Sequence, residues 1–105
     1  MKKTGSLKFT ITFALDRECL IMHPDEGFEL GLMRVTHHVR LCRNLDLESY
    51  LKGMEGDVEF VKLQLHNDCP RETIQVGRTL HHLLGKPEKA IALFDGQRLF
   101  LHTVS

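Results

Sequence analysis

The segment "KAIALFDGQRLFLHTV", residues 89–104, constrains the fold more than any other stretch of the chain. Two apolar runs flank Asp95-Gly96. An Asp-Gly step in that setting signals a type I′ hairpin, because both central residues of the turn need positive φ. A two-residue turn there pairs Phe94 with Gln97 and Ala92 with Leu99. Ala90, Ala92, Phe94, Leu99 and Leu101 then share one face, and the two alanines leave room for a helix to lie close. The chain is therefore expected to end in an antiparallel strand pair.

The N-terminal "LKFTITF" carries the same period of two. Leu7, Phe9, Ile11 and Phe13 alternate with Lys8, Thr10 and Thr12, which describes a strand with one dry and one wet face. "CLIMH" follows the polar "LDRE" and reads as the return arm of a hairpin. "DVEFVKLQLH" is a further strand. Its apolar phase slips between Phe60 and Val61, which points to a bulge or to burial on both faces.

Residues 24–43 support two readings. Pro24 suits a first helical position, with Asp25 and Glu26 in the first turn. Phe28, Leu32, Val35, Val39 and Cys42 recur at helical spacing, and Leu30, Met33, His37 and Leu41 form a second stripe nearly opposite. Against this, Met33, Val35, His37, Val39 and Leu41 also alternate as in a strand, and Gly27 and Gly31 weaken a helix. The helix is the favoured reading. Downstream, Asp46 is an N-cap for a short helix stopped by Gly56. "PRETIQVGRTLHHLLG" predicts a helix from Pro70 to Gly85, its inner face formed by Thr73, Val76, Leu80, Leu83 and Leu84.

Together these elements predict one α+β domain spanning residues 1–105. It has an antiparallel or mixed sheet of four to five strands, with two main helices and one short helix packed mainly on one face.

Chemistry-bearing residues are few in type but clustered. Two His-His doublets and three cysteines stand in 105 residues. On a helix, His38 and Cys42 are four apart and face one way, the weak beginning of a metal site. No other donor follows at ligand spacing, so no cofactor or metal is expected. Cys69 precedes Pro70 at the start of the expected helix, where the positive helix end and Arg71 favour a thiolate and His66 offers a base. The same helix start, with Arg71 and Cys69, offers an anion site. A capping cysteine is the commoner role for that position, and a catalytic one needs base and orienter together.

Balanced charge bears on partners. Lysine plus arginine number 14, as do aspartate plus glutamate, so no general field draws nucleic acid or anionic lipid. Arg34, Arg40 and Arg43 are not interleaved with aromatic residues, and nucleic acid is disfavoured. No run approaches the ~20 apolar residues of a membrane helix. Three cysteines without a paired motif suit a reducing cytoplasm. The expectation is a small cytoplasmic binding or regulatory domain, non-catalytic and self-associating. Its homodimer interface would be Leu30, Met33, His37 and Leu41, where His37 would face its symmetry mate; the commoner role for such a histidine is a satisfied place in the monomer's core. The alternatives are a thiol-dependent enzyme built on Cys69 and a His/Cys metal-binding protein.

Overall fold

Strand alternation at both ends of the chain ends in a sheet that closes on itself. The computed structural model describes residues 1–16 and 18–104. In chain order the elements are β1 (Lys2–Ile11), β2 (Cys19–Met22), α1 (Pro24–Glu29), β3 (Thr36–Arg43), α2 (Leu47–Leu51), β4 (Asp57–Leu65), β5 (Thr73–Val76), α3 (Arg78–Leu83), β6 (Lys89–Phe94) and β7 (Arg98–Val104). The seven strands form a closed barrel in the order β1-β5-β2-β4-β3-β7-β6, with β6 returning to β1. Pairs β1–β5, β2–β4 and β3–β7 are parallel; the other four are antiparallel. The fold is therefore not the open α+β sheet of four to five strands. It is a mixed barrel with three one-turn helices among the described residues.

Both long expected helices are cut short, the first by a glycine stop and the second by a strand at its start. All three described helices stop on a glycine with positive φ, Gly31, Gly53 and Gly85, so the short helix ends at Gly53 and not at Gly56. After α1, the Gly31 N–H donates to Phe28 O and the Leu32 N–H to Gly27 O, the paired bonds of a Schellman stop. The same pair recurs after α2 through Gly53 and Met54, and after α3 through Gly85 and Lys86. Thus 24–43 is a helix only to Glu29, and β3 then pairs with β4 at eight consecutive positions. The segment 70–85 likewise divides. The β-branched run Thr73-Ile74 begins a strand, and α3 starts only after Gly77. A Cβ at Gly77 would lie 2.6 Å from the Leu15 carbonyl oxygen, so this junction needs glycine for close approach.

Two smaller expectations also change. β2 is not the return arm of β1; it lies between β4 and β5. No bulge interrupts β4 against β3, whose register is continuous from Thr36↔Gln64 to Arg43↔Asp57. The apolar phase slip arises because Phe60 faces outward, 72 % exposed, while Val61, Leu63 and Leu65 are buried. The terminal hairpin does form, with its register displaced. Phe94 pairs with Leu99 and Ala92 with Leu101, because Asp95 pairs with Arg98 and the turn is Gly96-Gln97. That displacement keeps parity, so Ala90, Ala92, Phe94, Leu99 and Leu101 still share the buried face.

The barrel interior is filled by alternate residues of every strand, among them Leu7, Leu20, Leu41, Leu63, Val76 and Leu99. A register shift in β1 between Lys3 and Ser6 sharpens its bend, and the buried Thr4 hydroxyl there accepts the Ala92 N–H at 3.2 Å. Outside the barrel, α2 covers one patch of wall. Tyr50 packs with Cys42, Leu93 and Phe100, and its hydroxyl donates to Arg98 O at 2.8 Å. This explains why "KAIALF" reads as nearly continuous burial: Ala92 points in, while Leu93 points out beneath α2. On the β3–β4 wall, His38 and Phe60 remain exposed. Among the described residues, no helix is long and apolar enough to cross a membrane.

Candidate functional site

Strand parity builds the larger of two surface features. Val39 and Leu41 point into the barrel, so His38 and Arg40 point out. On β4, Val61 and Leu63 point in, so Phe60 and Lys62 point out. The register sets His38 opposite Lys62 and Arg40 opposite Phe60. These four form the floor of a groove of about 680 Å³. Asp16, Glu18 and Cys19 line one side and the Gly96-Gln97 turn the other. Arg40 is held by Gln97 Oε1 at 3.1 Å and Glu55 at 3.5 Å. The Cys19 thiol donates to Gln64 Oε1 at 3.3 Å. Burial pushes its pKa up, and the Lys62 ammonium partly offsets that rise.

The second feature follows from the early end of α1. Beyond Gly31 the chain crosses the surface to reach β3, and it carries apolar residues with it. Phe28, Met33 and Val35 are 70 %, 84 % and 65 % exposed. With Pro24, Leu32 and Leu65 they line a cleft of about 310 Å³. Imidazoles hold both ends of this segment. His23 caps α1, its Nδ1 accepting the Asp25 N–H at 3.0 Å. His37 Nε2 accepts the Arg34 N–H at 3.1 Å, which fixes the approach to β3.

The residues singled out from the sequence are dispersed. Of the expected interface stripe, Leu30 and Leu41 are buried in the barrel core, Met33 is exposed and His37 half-buried. A stripe needs a helix over 30–41, and the chain there is a stop and a strand. His38 and Cys42 lie four apart on β3, roughly 13 Å at strand rise, too far to share an ion. Cys42 is also covered by Tyr50 and Phe100. No cluster of three metal-ligating side chains exists among the described residues.

Cys69 is not at a helix start, because residues 73–76 are a strand. Its thiol is 2 % exposed, lies 3.8 Å from Thr73 O, and is pushed up to about 11 by burial and then by the Glu26 charge. His66 is exposed and bonds through its backbone N–H to Met22 O. Arg71 is engaged by Asp25 at 3.0 Å and Glu26 at 3.2 Å, so it is no free anion ligand. Neither thiolate chemistry nor an anion site has its geometry here.

Sequence reasoning missed the groove and the Phe28–Val35 patch. The signal for the first was the phase slip at Phe60; for the second it was Gly31 as a helix stop. No protein-family model, no curated protein and no solved structure matches the chain.

Proposed function

We propose that this chain is a small binding domain that works by docking and not by catalysis, and that it self-associates through the α1–β3 segment. The observation that carries this reading is the exposure of Phe28, Met33 and Val35 within eight residues of chain. Single exposed apolar residues are ordinary, but three adjoining ones beside a cleft mark a contact surface.

A second copy is the occupant favoured by charge. Glu29 and Arg34 are both exposed beside the patch and carry opposite signs. In a two-fold contact each residue meets its counterpart reciprocally, so Glu29 of one copy meets Arg34 of the other and Arg34 meets Glu29. The chain has zero formal net charge, so two copies do not repel. A closed barrel has no free strand edge, so association proceeds through side chains and not by strand addition. Two copies bring six large apolar side chains together. At about 1.5–3 kcal/mol each when fully buried, they are of the size that offsets an association cost of about 4–15 kcal/mol. The three cysteines are unpaired, which supports a reducing compartment such as the cytoplasm.

Sedimentation of the wild type and of Met33→Glu, each with circular dichroism, tests the reading. The wild type is expected to be a dimer at micromolar concentration and Met33→Glu a folded monomer. A monomeric wild type, or a Met33→Glu variant that remains dimeric, refutes it.

A further inference from the structure

The groove on the β3–β4 wall is separate from the self-association segment and carries its own chemistry. His38 stands directly opposite Lys62 on neighbouring strands. Lys62 is a cation and the His38 imidazole carries a ring N–H, so an anionic group placed between the two strands is met from both sides. Arg40 is answered by Glu55 and Gln97. Among the described residues, neither His38 nor Lys62 has an ion-pair partner. Beside them Phe60 presents an aromatic face that is 72 % exposed, which water does not favour. On the rim, Asp16 and Glu18 supply carboxylates with no ion-pair partner among the described residues.

We propose that this groove binds a small ligand that combines a planar ring, an anionic group and N–H donors. The ring stacks on Phe60. The anionic group lies between Lys62 and His38, and the N–H donors face Asp16 and Glu18. The volume of about 680 Å³ is that of a small-molecule site. The carboxylates on the rim exclude a bare polyanion, as does the zero net charge of the chain. Two kinds of small molecule carry this combination: a nucleotide with an amino-bearing base, and an aromatic amino acid.

Titration of the isotope-labelled full chain by NMR separates them, with adenosine monophosphate, L-tryptophan, adenosine and inorganic phosphate as probes. Saturable shifts at residues 38–40, 60–62 and 96–97 are expected with adenosine monophosphate or with tryptophan, and the tighter of the two identifies the source. Adenosine and phosphate, each lacking one half of the chemistry, should bind more weakly. Phe60→Ala should weaken binding by roughly tenfold to hundredfold, the effect of losing one stacking platform. Lys62→Glu should weaken it comparably. Both side chains point out of the barrel, so the variants retain the wild-type spectrum elsewhere. Protection of Cys19 from alkylation by the bound probe gives a second readout in the same groove. The proposal is overturned if no probe gives saturable shifts there at millimolar concentration. Phosphate binding as tightly as adenosine monophosphate, or affinity unchanged in Phe60→Ala, overturns it equally.

Discussion

Arg71 Nε donates to Glu26 Oε1 at 3.2 Å, and Glu26 is a carboxylate only 2 % exposed. Its second oxygen, Oε2, has no hydrogen-bond partner among the described residues. The guanidinium is thus the main compensation for a charge placed under α1. It also ties that helix to the turn before β5 and braces one end of the segment that displays Phe28 and Met33.

Arg71→Ala should therefore destabilise the fold by about 1–3 kcal/mol, the cost of a buried group losing a charged partner, reduced because Arg71 itself is half in solvent. Urea denaturation measures it. Asp25→Ala is the control, since the Asp25 carboxylate is exposed. If the control costs as much as Arg71→Ala, the burial of Glu26 is irrelevant to the effect.

Stability should fall at alkaline pH. Burial raises the Cys69 thiol from 9.0 to about 11, and burial with the Asp95 charge raises the Tyr50 phenol to about 12. Both groups lose protons sooner in the unfolded chain. Stability is then full below pH 9.0 and is lost as pH rises through the folded value near 11. The Cys69 contribution is roughly 2–3 kcal/mol. Thermal melts across this range should show the fall, and Cys69→Ala should flatten its first part. An unchanged slope in that variant would assign the effect elsewhere.

Cys19 should be the most reactive of the three thiols, in place of Cys69. Burial raises all three and leaves Cys19 only 4 % exposed, but Cys19 lines the β3–β4 groove, where the Lys62 ammonium partly offsets the rise in its pKa. Cys42 lies under Tyr50, and Cys69 lies beneath the turn before β5. Mass-spectrometric mapping after substoichiometric alkylation at neutral pH reads the order. Preferential labelling of Cys69 would contradict the burial described for it.

Leu41 and Met33 should respond oppositely to the same substitution. Leu41 is fully buried inside the barrel, so Leu41→Ala should cost about 2–5 kcal/mol and Leu41→Glu should abolish cooperative folding. Met33→Glu should still unfold cooperatively, with a midpoint that no longer depends on protein concentration. A folded Leu41→Glu monomer would instead support a helical stripe over 30–41.

Period and punctuation were legible in the chain. The inward alternation of Leu7 and Phe9, the terminal hairpin and the Asp46 cap, which accepts the Ser49 N–H at 2.7 Å, are local facts. So was the buried face of the last hairpin, since its displaced register left parity unchanged. Ile11 and Phe13, expected on the same dry face as Leu7 and Phe9, are 39 % and 80 % exposed because β1 ends at Ile11. The glycine stops were equally local, but Gly31 was outweighed by stripes of apolar residues running through it. At Thr73–Val76 a helical stripe and a strand both account for the burial of Val76, and only the strand places Ile74 inside.

The chain by itself therefore determined the barrel-facing side of its last hairpin and the start of its short helix. Only the tertiary structure decided the partners. Lys8 meets Thr73, Cys19 meets Lys62 and Arg40 meets Arg98 in parallel pairs between distant strands. A strand's side-chain period is the same whichever neighbour takes its backbone bonds, so nothing in the pattern names that neighbour. The groove is made by such choices: Phe60 and Lys62 gain His38 and Arg40 beside them only once β4 pairs with β3. Asp16, Glu18 and Gln97 join them only once β2 and β7 flank that pair and the barrel closes.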